Sequence, residues 1–212
     1  MKKTLYLKFL LAYVIFGIFG FIIISVFVPK LTVEQLTREK ANTLYSEATL
    51  IADRYGSGLY TSDTSLESVK NQLDALSVYL DSDIWIINPS GRMVLTTEYP
   101  LNVDEVVIIE NFDPTLTANS YYNVSNFFNY YDEAMLNVIA PITTNYKVNG
   151  YVVIHASMAS VYESSNSLLT ISYITMCILF FLSMIILIFF TEIVYKPLRK
   201  ITYATEQYAS GN

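Results

Sequence analysis

The chain has 212 residues, 53% of them hydrophobic and only 15% charged, with a formal net charge of −6. That is too apolar for an ordinary soluble domain, and the excess sits in two blocks near the ends, the pattern of a membrane protein with one domain between its spans. Residues 30–167 carry seven Lys/Arg against seventeen Asp/Glu, while the flanks carry six against two. An acidic middle argues against nucleic acid as a partner, and basic flanks suit the anionic cytoplasmic face of a lipid bilayer. With one cysteine, Cys177, and one histidine, His155, neither an intrachain disulfide nor a zinc site is expected. The central domain must be held by its own core.

A short tail, residues 1–8, precedes the first apolar block. No charge occurs between Lys8 and Lys30, and the segment from Phe9 to Val28 reaches ~30 Å as a helix, one hydrocarbon thickness. A span is predicted at 9–29. The start Met-Lys-Lys also fits a signal peptide, but the apolar run is longer than the usual h-region. The exit Val28-Pro29-Lys30-Leu31 also lacks a small-x-small cleavage pattern. An uncleaved anchor is expected.

After Pro29 the spacing of Val33, Leu36, Leu44, Ala48, Ile51 and Tyr55 predicts a helix, stopped by Gly56-Ser57-Gly58. Thr64 to Leu80 reads as a second helix, with Leu66, Val69, Leu73, Leu76 and Leu80 on one face. Ile84-Trp85-Ile86-Ile87 and Met93–Thr97 read as strands joined by the turn Asn88-Pro89-Ser90-Gly91. Residues 98–118 have no clear pattern. Tyr121 to Tyr131 is rich in aromatics. Met135–Ile142 and Tyr151–Ala156 read as strands, with Lys147-Val148-Asn149-Gly150 as the turn between them. The order predicts an α+β domain, an antiparallel sheet flanked by helices.

A second charge-free stretch lies between Glu163 and Glu192, and a span is predicted at 168–191. Lys196, Arg199 and Lys200 follow it closely, so both termini are expected in the cytoplasm and residues 30–167 outside. In the tail 192–212, Pro197 is placed at a helix start, where its missing N–H costs nothing. Leu198, Ile201, Thr205 and Tyr208 follow at the 3-4-3 spacing of a coiled coil, and Gly211 is a C-cap candidate.

Two resemblances rest on these residues. "DIWIINPSGRMVLTT" followed by "EAMLNVIAPITTNYKVNGYVVIHASM" resembles extracytoplasmic Cache or PAS-like sensor domains over about residues 30–160. That likeness implies an antiparallel sheet, a long membrane-proximal helix and often a small ligand on one sheet face. The tail, with Pro197-Leu198, Ile201, Ala204, Ala209-Ser210 and Gly211-Asn212, resembles the first helix of a HAMP linker, whose connector and second helix would lie beyond Asn212. Together they resemble the sensory front of a bacterial two-component sensor histidine kinase in the plasma membrane, acting as a parallel homodimer. The resemblance further implies a downstream kinase region using ATP and Mg and a response regulator as its partner. The same front also precedes chemoreceptor rods and cyclic-dinucleotide synthases, and a stand-alone membrane-anchored binding protein is a third reading.

No nucleotide-binding loop or catalytic constellation occurs in the 212 residues, and no cofactor is expected in them. The ligand-contact candidates are Trp85 and Arg92 at the hairpin and Tyr121, Tyr122, Tyr130 and Tyr131 in the aromatic run, where a pocket lining and plain sheet packing are equally open readings. The signal-coupling candidates are Pro197, Leu198, Ile201 and Tyr208. His155, on the outer side, cannot be a cytoplasmic phosphoacceptor and reads as a partly buried strand residue. Asp81 and Asp83 form an acidic pair able to hold a cation, though a solvated strand start is the plainer reading. Asn123-Val124-Ser125 matches a glycosylation acceptor, of no consequence in a bacterium.

Overall fold

A computed structural model of the protein describes residues 3–56, 66–100, 107–117 and 120–209. They form two compact units, Thr32–Ser165 and the paired ends Met1–Leu31 with Asn166–Asn212.

The central unit is α+β. Helix α1 (Lys3–Ile51) brings its C-terminal half into this unit. The predicted stripe forms its core face, with Leu44, Ala48 and Ile51 buried and Val33 and Leu36 packed at the margin. The helix runs unbroken through Pro29, where the sequence suggested a division between span and domain. It closes in a π-helical turn, Ala52–Gly56. Ser57 and Gly58 of the expected stop signal, the side chain of Tyr55, and Thr64 at the expected start of the next helix lie outside the described residues. Helix α2 (Leu66–Leu80) buries Val69 and Leu73 and lays Leu66, Leu76 and Leu80 against the same core.

Five strands follow: β1 (Asp83–Ile87), β2 (Met93–Thr96), β3 (Tyr122–Ser125), β4 (Met135–Thr144) and β5 (Lys147–Ser157). They form one antiparallel sheet in the order β2-β1-β5-β4-β3. Because successive side chains point to opposite faces, the sheet has two cores. Ile84, Ile86, Leu136, Val138, Ala140, Val152 and Ile154 meet the helices. Trp85, Ile87, Ile139 and Val153 face the other way, under Ile109, Phe127 and a rim of aromatics.

The β1–β2 turn is built as the sequence suggests. The Asn88 side-chain oxygen accepts from the amides of Ser90 (3.0 Å) and Arg92 (2.9 Å), and Gly91 takes φ +83°. The β4–β5 turn falls elsewhere than expected. It is Asn145-Tyr146, with φ of 52° and 62°, the left-handed pair that a two-residue hairpin requires. Lys147–Gly150 already belongs to β5. Asn149-Gly150 lies at a register shift, where Ile142 faces Gly150 but Thr143 faces Val148, so the Asn-Gly signal marks a bulge. Within the unpatterned stretch, Ile108 bridges to Arg92 and Pro114–Thr117 forms a 3-10 turn.

The second unit is a helical pair, the N-terminal half of α1 and helix α3 (Ala159–Phe190). Both are long and apolar enough to cross a membrane, and their most apolar windows are unburied. They run antiparallel, since Tyr13 meets Phe180 and Ser183, Gly20 meets Met176, and Ser25 meets Tyr173. Past α3 a π-helical turn, Thr191–Tyr195, leads directly into helix α4 (Lys196–Ala209). Pro197 is the second residue of this helix, at its start as expected, and the π-helical turn joins it to α3 without a break. The Lys196 amide bonds back to the Thr191 carbonyl, five residues away, and this widened turn sits where the proline ring would crowd the preceding turn. Leu198, Ile201 and Tyr208 are exposed along α4; Ser210, Gly211 and Asn212 lie outside the described residues.

Candidate functional site

The sheet face away from the helices carries an unusual row. In register across four strands stand Asp83 of β1, His155 of β5, Asn137 of β4 and Asn123 of β3. His155 and Asn137 are fully buried. Polar groups placed so deep must be paired, and Asn137 is. Its amide nitrogen donates toward the Asn123 side-chain oxygen (3.0 Å) and the carbonyls of Ser125 (3.0 Å) and Met135 (3.1 Å). That fixes its oxygen toward His155 Nδ1 at 2.7 Å. His155 must then donate from Nδ1, leaving Nε2 as a bare lone pair.

Around that lone pair the walls are aromatic. The rings of Trp85, Phe127 and Tyr131 lie 4.3, 4.4 and 5.2 Å from the His155 ring. Three polar atoms here, Trp85 Nε1, Tyr131 OH and His155 Nε2, are buried with no hydrogen-bond partner among the described residues. Each such group costs ~1–3 kcal/mol, and three together make this face the candidate site. Burial holds the His155 pKa down at about 3, and the ring is neutral at physiological pH.

Toward the rim the chemistry becomes acidic. Tyr130 OH donates to Glu98 at 3.1 Å and accepts from Tyr99 at 2.8 Å. Partial burial raises the pKa of Glu98, the Tyr130 bond opposes the rise, and neighbouring Asp83 adds to it. Asp83 is raised by burial and then by Asp81. The Tyr131 hydroxyl is raised by burial first and then by the fields of Asp83 and Glu98, so both carboxylates lie within electrostatic reach of it. Tyr130 and Tyr131 are delivered by a strained turn in which Phe127, Phe128 and Asn129 take φ of 43°, 56° and 62°. Three consecutive left-handed non-glycine residues cost on the order of 1–3 kcal/mol each. Burial of Phe127 beneath the sheet and its ring contacts with Trp85 and Phe128 help to hold the turn.

Of the six ligand-contact candidates, Trp85, Tyr130 and Tyr131 meet here, with Trp85 4.6 Å from Tyr130 and 5.8 Å from Tyr131. The others do not join them. Tyr121 and Tyr122 pack against the helix-side core, where the Tyr121 ring lies tilted against Tyr45 at 5.1 Å and its hydroxyl bonds to Asn42. Arg92 is exposed beyond the hairpin. A cleft of about 540 Å³ lies elsewhere, between α1 and α2, lined by Leu50, Leu76, Tyr79, Glu47 and Arg54 among others. It is open and carries none of the orphaned buried polar atoms, so the aromatic face is the better site on chemical grounds.

No protein-family model matches the chain, and no curated protein matches it. Among solved structures, the V. cholerae histidine kinase DctB sensor domain aligns with a TM-score of 0.44 at 15% identity, over 64% of this chain and 57% of that one. The chain thus spans a little over half of that structure's length.

Sequence reasoning missed Asn137, Glu98 and Tyr99 and undervalued His155. The available signal was period two: Asn137 and His155 each interrupt an apolar strand at a position whose neighbours i±2 point to the same face. Asp83 was visible but read as solvated.

Proposed function

We propose that residues 1–212 are the sensory and signal-transmitting part of a two-component sensor histidine kinase. In this reading residues 30–167 are an extracytoplasmic Cache/PAS-like sensor, residues 9–29 and 168–191 cross the plasma membrane, and residues 192–212 begin a HAMP linker. A parallel homodimer passes the stimulus to a kinase region that uses ATP and Mg and phosphorylates a response regulator.

The observation that carries this reading is the position of His155. It holds the centre of the polar row, four residues before α3 begins at Ala159. Ser157 caps that helix, its hydroxyl accepting from the Ala159 amide at 3.1 Å, and Lys40 of α1 reaches Ser160 at 2.8 Å. A ligand that settles beside Asp83, at the partly exposed end of the row, thus acts next to the strand that leads into α3. Coupling of this kind typically amounts to ~1–3 kcal/mol.

The test joins residues 1–212 to the output half of a histidine kinase and follows autophosphorylation in membrane vesicles. Activity should shift with a solute supplied on the sensor side, and His155→Leu should abolish the shift. A chimera that phosphorylates normally yet ignores every metabolite, cation and pH change on that side would count against the sensory role.

A further inference from the structure

We infer that the aromatic face selects an organic ammonium ion, held by Glu98 and Asp83 against the partly exposed rings of Tyr99, Tyr130 and Tyr131, above the buried Trp85; this rests on that face being the ligand site.

Glu98 is bonded to Tyr130 at the rim, Asp83 stands on the same sheet face across from His155, and neither has a cationic partner among the described residues. The bases of the central unit are engaged or distant. Arg38 pairs with Glu34, Lys70 with Asp74, and Lys40 reaches Ser160. Arg54 lines the helix-side cleft, Arg92 is exposed beyond the turn, and Lys147 begins the far end of β5. Residues 57–65, 101–106 and 118–119 contain no Lys, Arg or His, so the chain supplies no counter-ion from those segments. An anionic ligand would meet two like charges and no base. A cation is what the electrostatics lack.

The kind of cation follows from the remaining walls. Among the described residues no group of three or more His, Cys, Asp or Glu side chains is placed to hold a metal ion. The walls are instead π-faces. Trp85 and Tyr130 meet edge to face at 4.6 Å, and Tyr130 and Tyr131 at 5.1 Å. Aromatic faces attract alkylated ammonium groups, which shed water cheaply, better than small hard ions. The Tyr99–Tyr130–Glu98 hydrogen-bond chain pushes electron density onto the Tyr130 ring and strengthens that attraction. Trp85 Nε1 and Tyr131 OH, buried with no hydrogen-bond partner among the described residues, lie on the same face and favour a ligand there independently of the carboxylates.

Trp85 is the sole tryptophan of the chain, so its fluorescence reads the site directly. The full chain in lipid nanodiscs is titrated with choline, ethanolamine and putrescine at constant ionic strength, against sodium chloride, succinate and glucose. A saturable change in Trp85 emission with at least one ammonium probe, weakened at least tenfold by Glu98→Gln and by Asp83→Asn, is expected. Glu98 is exposed, so Glu98→Gln carries the test if Asp83→Asn melts early. Saturation by succinate or glucose with no ammonium probe active would keep the site and overturn its cation selectivity, as would ammonium binding unchanged in Glu98→Gln. No saturable response to any probe would remove the site, and the inference with it.

Discussion

His155 Nδ1 stands 2.7 Å from Asn137 Oδ1, in a fully buried ring packed against Trp85, Phe127 and Tyr131. The stability of the central unit should therefore depend on pH. The folded pKa is lowered by burial from 6.5 to about 3. Above about pH 6.5 neither state is protonated and the contribution is fully present. Below it the unfolded chain takes a proton that the folded chain refuses, so stability falls as pH drops toward 3, with a slope approaching ~1.4 kcal/mol per pH unit. Asp83, opposite His155, and nearby Glu98 have raised pKa values and work in the other direction. They favour the folded state as pH falls through their folded values, so the His155 contribution is read as the difference between wild type and a His155 variant below pH 7. In thermal melting of the full chain in nanodiscs, the wild-type midpoint should fall relative to that of His155→Gln, which keeps an N–H for Asn137, as pH drops. A difference that stays constant with pH would count against the assignment.

Gly91 meets two constraints at once. Its φ is +83°, and an added Cβ would lie 2.8 Å from the Ile109 carbonyl oxygen and 2.9 Å from Phe112 Cβ. Backbone there cannot yield cheaply, because Gly91 also accepts from the Ile109 amide at 2.9 Å. Gly91→Ala should cost about 2–3 kcal/mol, from the left-handed conformation and the displaced loop together. Ser90→Ala, which loses one exposed hydroxyl contact, should stay within ~0.5 kcal/mol of the wild type. Equal melting points for the two variants would contradict this account of the loop.

The alternating and helical patterns made the scaffold legible: the α2 face, β1, β2 and the cores of β4 and β5 all follow from apolar spacing. Where the sequence misled, a local signal was outvoted by pairing between distant segments. Asn149-Gly150 has turn chemistry, but the long β4–β5 ladder draws it into a bulge and places the turn at Asn145-Tyr146. Pro197 does stand at a helix start, and what the sequence did not signal is the π-helical turn that joins that helix to α3. The site was half legible for a related reason. Trp85, Tyr130 and Tyr131 advertise themselves by composition, whereas Asn137 and His155 acquire meaning only through a register that places them side by side. Glu98 and Tyr99 lie just past β2, where periodicity gives no guidance.

Tyr146 offers a gain of stability. It is fully exposed and holds φ +62° at the second position of the turn, where glycine is the favoured residue. Its side chain contributes no burial to offset the strain of a left-handed conformation. Tyr146→Gly should raise stability by about 0.5–1 kcal/mol, a difference between relieved native strain and the greater freedom of an unfolded glycine. A rise of a few degrees in the melting midpoint checks it; a fall would mean that the turn is not of this type.

The helical pair gives the last prediction. In the membrane setting proposed above, lipid offers no hydrophobic drive for helices to associate, so close approach through small residues and interhelical hydrogen bonds hold them. Gly17 provides the approach, with the Phe180 ring 2.5 Å from where its Cβ would be. Tyr13 stacks on Phe180 at 4.9 Å and donates to its carbonyl, while Tyr173 donates to Ser25 at 3.3 Å farther along. Alanine at position 17 meets only the end of a movable ring and should be tolerated. Isoleucine adds bulk that one rotamer change cannot clear, and Gly17→Ile should separate the pair. Phe16, 73% exposed, should accept isoleucine without effect. With Cys177 replaced by serine, cysteines at positions 20 and 176 should be joined by a short bis-maleimide in native membranes. That product should be lost in the Gly17→Ile background and kept with Phe16→Ile. Cross-linking of 20 to 176 that survives Gly17→Ile would show that the glycine contact does not hold the pair together.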